Sequence, residues 1–336
     1  MRIAVDAMGG DFAPREIVAG TFHAATALAD QVEEWLLVGR EDAIRSAAAP
    51  WGPWPPRVRI VHADEVVDMD ESPAVAVRRK KNSSINRAVE LVRSGEAAAV
   101  FSAGNTGALV AAATLKLRPL EGVLRPAIAT TIPGGGRFPW VLIDAGANTD
   151  CTPEMLVQFA VMGAVYAREI LGIPEPRVGL LSVGEEDVKG NEVTREAFGR
   201  LRASRLNFVG NVEGHDLFED QVDVVVCDGF VGNIVLKTSE SVAHFFGRLL
   251  RETLTTTPWR ALGAWLIRGG LRELRKRADA SSYGGAPLLG VPGVCIVAHG
   301  ASRAVAVANG LRVTVEAVRR EVPQKIARGV QELAHS

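Results

Sequence analysis

Cysteine is scarce in this 336-residue chain. Cys151, Cys227 and Cys295 stand far apart, odd in number, without CxxC spacing or a neighbouring ligand cluster. A disulfide framework and a cysteine-built metal centre are thereby excluded, and a reducing compartment fits. An excess of one charge is lacking too: the net charge of −1 argues against a nucleic-acid binder that relies on a globally basic surface. Membrane spans are missing. The two long uncharged runs, residues 97–115 and 280–302, are interrupted by SAGNTG, SSYGG and HGAS, which would leave backbone groups unpaired in lipid. The opening MRIAVDAMGG carries Asp6 where a signal peptide needs an unbroken apolar core, so it reads as a first β-strand. Neither a Walker A loop nor GxGxxG after the first strand is present, since Lys189 precedes Gly190 and the first strand runs into DAMGGD. No internal repeat of 20–50 residues and no low-complexity linker stands out, and the Pro-rich APWGPWPPR (49–57) suits a surface loop.

What is present is an α/β pattern. With 47% hydrophobic residues the chain can fill a sizeable core. Short apolar runs (RIAVDA, EWLLVG, RVRIVHA, AAAVFSA, AIATTI, WVLIDA, RVGLLSV, LNFVG, DVVVCD, VCIVAHG) alternate with segments of helical period such as PREIVAGTFHAATALA, INRAVELVRSG, PEMLVQFAVMGAVYAREIL and SRAVAVANGLRVTVEAVRR. This is the form of a mainly parallel sheet covered by crossover helices. We expect one α/β/α unit over residues 1–336, with a central cleft.

Five strand ends share a vocabulary of Gly, Asn, Ser and Asp: FSAGNTGAL (101–109), IDAGANTD (143–150), SVGEEDVKGN (182–191), CDGFVGN (227–233) and VAHGAS (297–302). Ligands of open α/β sheets bind outside the carboxyl ends of strands, so these loops are expected to face one crevice. Glycines permit close backbone approach, and helix N-termini offer free N–H groups, a combination that favours phosphate. For any single loop the same residues can simply build a tight turn. Lys189 supplies a point charge beside Gly190 and Asn191, while Asn105, Asn148 and Asn233 add amides that can orient an oxyanion. His299 is as well suited to a turn as to catalysis. No second carboxylate cluster accompanies the acids of GEEDVKGNE, so no metal and no organic cofactor is expected.

DAMGGD (6–11), SAGNTGAL (102–109), DAGAN (144–148), EEDVKGNE (185–192), DGFVGNIVLKTSE (228–240) and YGGAPLLGVPGVCIVAHGAS (283–302) together resemble the bacterial phosphate acyltransferase family, in order and nearly end to end. Ser241 and Ser282 are minor departures from its pattern. The resemblance implies an enzyme that moves a fatty acyl group from acyl carrier protein to inorganic phosphate, giving acyl phosphate for phospholipid synthesis. It also implies a three-layer α/β/α fold like that of phosphotransacetylase and isopropylmalate dehydrogenase, a cytoplasmic homodimer attached peripherally to the inner membrane face, and the next acyltransferase of the pathway as a further partner. Lys189 and Asn233 are then the catalytic candidates. Gly9, Gly10, Asp11, Ser102, Gly104, Asn105, Thr106, Asn148, Gly190, Asn191, Asp228, Gly229, Gly232 and His299 are the candidates for holding phosphate or substrate.

The chemistry agrees. Phosphate is already ionised at neutral pH and a thiol with pKa near 8.5 leaves readily, so alignment and oxyanion donors matter more than general acid or base. A phosphotransacetylase-type enzyme using acyl-coenzyme A and a non-catalytic sensor of a phosphorylated metabolite are the alternatives. A dehydrogenase on the isopropylmalate pattern lacks an evident set of metal-binding aspartates. Residues 244–280 are expected to form an amphipathic helix. At about 100° per residue, Trp259, Leu262, Leu266, Ile267, Leu271 and Leu274 share an arc opposite Arg268, Arg272, Arg275 and Lys276. With Trp265, this face suits a membrane interface or the acidic carrier protein. An ordinary helix buried on the core or on a dimer partner is the plainer reading.

Overall fold

A computed structural model describes residues 1–134, 139–278 and 284–334, with the side chains of 275–278 and 334 outside the described set. Its strands are β1 (Arg2–Asp6), β2 (Glu34–Gly39), β3 (Val58–His62), β4 (Ala99–Ser102), β5 (Ala127–Ile132), β6 (Trp140–Ile143), β7 (Val178–Leu181), β8 (Phe208–Val212), β9 (Val224–Val226), β10 (Ala286–Leu289) and β11 (Val294–Val297). Among the described residues they form one sheet in the order β3-β2-β1-β4-β11-β10-β5-β6-β9-β7-β8. The strands alternate sides because successive Cβ atoms point to opposite faces. Ile3 and Val5, Trp35 and Leu37, and Val224 and Val226 enter one apolar layer, while Ala4, Leu36, Val38 and Val225 enter the other. Both faces are covered, which is why the strands read as nearly continuous apolar runs.

The sheet is mainly parallel, and helices flank it. β1 pairs in parallel with β2 and β4, β2 with β3, and β4 with β11. β9 pairs in parallel with β6 and β7, and β7 with β8. Three antiparallel pairings lie between these halves: β11 with β10, β10 with β5, and β5 with β6. An odd number of reversals means that β6–β9 run opposite to β1–β4 and β11. Within the sheet the carboxyl ends of β4 and β11 thus point in the opposite sense to those of β6, β7 and β9.

The expected amphipathic segment is not one helix. A helix from Gly229 to Thr255 is followed by Pro258–Leu266 and Arg268–Ala278. TTTP explains the first break, because Pro258 has no N–H and restricts the residue before it, while Thr257 caps the next helix by accepting from Arg260 N–H at 3.4 Å. The second break follows Leu266, so the single arc assumed for 259–274 is interrupted at Ile267. The first packs on β6 and on the second, and the second on the third. Burial against the chain's own core is thereby excluded for Trp259, Leu262, Trp265, Leu266 and Arg268, all exposed.

Candidate active site

At the edge formed by β1, β4 and β11, most of the polar candidates are engaged by the fold, while Asp11 and Thr106 stand exposed without a side-chain hydrogen bond among the described residues. Asp6 is buried; it takes the Ser102 hydroxyl at 2.7 Å and the Met8 N–H at 3.3 Å. Burial raises its pKa, against the lowering by those bonds and by Ser84. Ser102 also accepts from Gly104 N–H at 3.1 Å. A Cβ on Gly9 would sit 2.6 Å from both Asp6 Oδ2 and Gly104 N, so the glycine serves contact between the two loops. Gly10 has φ +111°, and the next residue, Asp11, donates its N–H to Gly300 O at 2.9 Å.

Asn105 caps the helix Thr106–Lys116 by accepting from Ala108 N–H at 3.0 Å, and its amide donates to the carbonyls of Asp68, Met69 and Glu71 at 3.1–3.3 Å. Its amide has no donor left for an oxyanion. Exposed Thr106 opens that helix. His299 accepts from Ala301 N–H at 3.0 Å through Nδ1, so its ring builds the turn.

The edge formed by β6, β9 and β7 is different. Its organiser is Asp144, which the sequence reading left out of the site although it opens DAGAN. This buried carboxylate accepts backbone N–H bonds from Ile128, Gly146, Ala147 and Asn148 at 2.7–3.2 Å, and one from the Asn148 amide at 2.9 Å. Burial raises its pKa while these bonds oppose the rise. The Asn148 amide also donates to Pro126 O at 2.8 Å, so it too serves the loop.

The first turn of Gly229–Thr255 is set against this loop backbone to backbone. Gly229 donates its N–H to Asn148 O at 2.7 Å, and a Cβ on Gly232 would lie 1.9 Å from Asp144 O. Asp228 caps the helix, accepting from Val231 N–H at 2.9 Å. Asn233 therefore stands inside the helix and caps nothing. It is exposed, makes no side-chain hydrogen bond among the described residues, and lies 3.6–3.8 Å from where a Cβ on Gly146 would be.

Since β9 and β7 are neighbours, the adjoining loop is 182–191. Asn191 caps the helix Glu192–Ala203 by accepting from Thr194 N–H at 2.9 Å. Gly190 supplies φ +97° directly after Lys189. Asp187 pairs with Arg202, and the exposed Lys189 ammonium stands 4.0 Å from Glu186. Its stem covers Gly184, where a Cβ would meet Lys189 Cγ at 2.8 Å. Lys189 and Asn233 are thus polar groups at this edge not taken up by capping or turns.

Cys151 and Cys227 flank the Asp144 loop, with sulfurs 3.5 Å from Asn148 O and 3.7 Å from Asp144 O. Burial is the main cause pushing Cys151 up to about 12 and Cys227 well above its ordinary value. Both stay thiols at neutral pH and are poor nucleophiles. Glu185, His215 and Asp216 bring ligand atoms within 4.8 Å of one another. The acids of GEEDVKGNE do therefore have a neighbouring cluster, unseen in sequence because His215 and Asp216 lie thirty residues on, after β8. Of the arm candidates, Arg272 is exposed, and the side chains of Arg275 and Lys276 lie outside the described residues.

A solved phosphotransacetylase from Streptococcus pyogenes matches with a TM-score of 0.64 at 17% identity, covering 95% of this chain and 94% of that one. The EutD phosphotransacetylase from Staphylococcus aureus matches with 0.61 at 15% identity and the same coverage. This is a likeness of architecture. At the level of sequence, the family model described as "Fatty acid synthesis protein" matches residues 1–325. The relative named "Phosphate acyltransferase" from Desulfitobacterium hafniense (strain Y51) is 50% identical over 335 residues, 96% of this chain and 98% of its own. The one so named from Desulforudis audaxviator is 51% identical over 330 residues, 98% and 96% of the two chains. The chain belongs to the phosphate acyltransferase family.

Proposed function

We propose that this chain transfers a fatty acyl group from the thioester of acyl carrier protein to inorganic phosphate, and that Lys189 and Asn233 serve the reaction. A phosphate oxygen attacks the thioester carbonyl carbon, the tetrahedral intermediate expels the thiolate, and acyl phosphate leaves for phospholipid synthesis. Lys189 holds the phosphate charge, and the Asn233 amide donates to the developing oxyanion. The observation that carries this assignment is the unengaged amide of Asn233, set by a glycine-welded turn on the edge that also bears Lys189. Gly190, Asp228, Gly229 and Gly232 shape this site. Gly9, Gly10 and Gly104 shape the opposite edge.

Thiol release from acyl-acyl carrier protein, followed with and without phosphate, tests the reading. Phosphate-dependent release is expected. Phosphate binding without any release would favour a metabolite sensor, and faster release from acyl-coenzyme A a phosphotransacetylase-type donor.

The segment 244–280, whose last two residues lie outside the described residues, is the membrane-facing arm of a homodimeric, cytoplasmic protein in this reading, and its basic face also meets the acidic carrier protein. Its support is the exposed apolar side chains, Trp259 at 82% foremost, beside Arg260, Arg268 and Arg272. Among the described residues no helix is long and apolar enough to cross a membrane. Replacing Trp265 and Leu266 with Glu is expected to abolish co-sedimentation with anionic vesicles. Unchanged binding by the folded variant would remove the arm from this role.

A further inference from the structure

The acids of the Lys189 loop have separate destinations. Asp187 pairs with Arg202 and Glu186 faces Lys189, whereas Glu185 points across to the loop after β8. There His215 Nε2 stands 4.0 Å from Glu185 Oε1 and 3.2 Å from Asp216 Oδ1.

Asp216 differs from an ordinary surface acid. Its side chain is only 5% exposed. Oδ2 accepts the Glu213 N–H at 2.8 Å, and among the described residues no hydrogen bond reaches Oδ1, which faces the imidazole. A largely buried carboxylate is favoured by a positive charge beside it, which a cation at that point would supply. On the far side of the ring, Glu213 Oε2 lies 3.9 Å from Nδ1. A carboxylate there favours the tautomer that leaves Nε2 free as a ligand.

We propose that Glu185, His215 and Asp216 form a site for a first-row divalent cation, with Zn²⁺ or Mn²⁺ best suited to one imidazole and two carboxylates. Metal–ligand bonds of about 2.0–2.2 Å put neighbouring donors of a tetrahedral ion about 3.3–3.5 Å apart. The His215–Asp216 separation of 3.2 Å meets this, and Glu185, exposed on its loop with its ligand atom within 4.8 Å of both others, closes the remainder by a side-chain movement. Magnesium is disfavoured because its preference is for oxygen donors and retained water. The site joins the loop ends of the adjacent strands β7 and β8, which the Asn211 amide already links by donating to Glu186 O at 2.9 Å. Its role is to fix the loop that carries Lys189. It stands apart from the acyl-transfer reading and takes no part in bond making.

The test is a titration of untagged, chelator-treated full-length protein with Zn²⁺, and separately Mn²⁺, by calorimetry. One equivalent per chain is expected, with binding weakened roughly tenfold or more in Glu185→Gln and in His215→Ala. Hydrogen exchange of residues 184–190 is expected to slow on Zn²⁺ addition in the native protein alone. Glu185→Gln changes an exposed side chain and keeps the test valid if His215→Ala does not fold. No binding at millimolar metal, or equal binding by native protein and Glu185→Gln, would overturn the proposal.

Discussion

The two edges of the sheet use the same residue vocabulary to different ends. Where β1, β4 and β11 end, Asn105 spends its amide and its oxygen inside the chain, Ser102 is locked to Asp6, and glycines press loop against loop. Where β6, β9 and β7 end, glycines also press backbone on backbone, but the result is a turn that presents Asn233 with nothing bonded to it. A loop rich in Gly and Asn is therefore recognised as a site by the polar atoms it leaves unspent. The count of such residues does not distinguish the two edges.

The strongest way to break the comparison is to unseat the turn. Gly232→Ala places a Cβ 1.9 Å from a backbone oxygen, so a loss of about 3 kcal/mol or more is expected, seen as a large fall in the denaturation midpoint. A midpoint within error of the native one would show that the turn is not fixed by that contact. Next comes Lys189→Ala. Acyl-phosphate formation should fall roughly tenfold or more with the midpoint unchanged, because the side chain is exposed and its nearest ion-pair partner is 4.0 Å away.

A third test pairs the asparagines. Asn233→Asp adds a negative charge beside the anion and should lower turnover by about tenfold at constant stability. Asn105→Ala should instead cost about 1–2 kcal/mol of stability by removing a cap and leaving carbonyls unpaired, with turnover per folded molecule preserved. Reversal of these two outcomes would exchange the roles of the edges.

The smallest expected effect is the pH dependence of Asp6. Burial raises its pKa in the folded state, so the folded protein holds that proton more tightly than the unfolded chain. Its stability contribution is then largest in acid and is lost as pH climbs from the ordinary carboxyl value through the raised one. Midpoints of native protein and Asp6→Asn, compared from pH 4 upward, should show the native protein losing ground as pH rises. A constant difference would mean that Asp6 titrates alike in both states.

Much of this architecture is legible in the chain. The apolar runs from RIAVDA to VCIVAHG mark ten strands, and the helical periods after Pro14, Ser84, Pro153 and Ser302 coincide with helices. β10 escapes notice because Pro287 interrupts APLL, yet it pairs with β11 and β5 in mid-sheet. The direction of β6–β9 is hidden because side-chain alternation is the same in both senses along a strand. At the proposed site, Lys189 and Asn233 can be picked from their strings. Asp144 could have been, as the acid opening DAGAN, but its role depends on N–H donors converging from β5 and from its own loop. The Glu185–His215–Asp216 cluster is a product of β7 and β8 pairing, and no spacing rule reaches it.

The helix Gly229–Thr255 begins at the turn that holds Asn233 and ends at the exposed arm. Its 27 residues make a rod about 40 Å long. With its root clamped against the Asp144 loop, the rod behaves as a beam fixed at one end, and a rotation of one degree at the root sweeps the tip through roughly 0.7 Å.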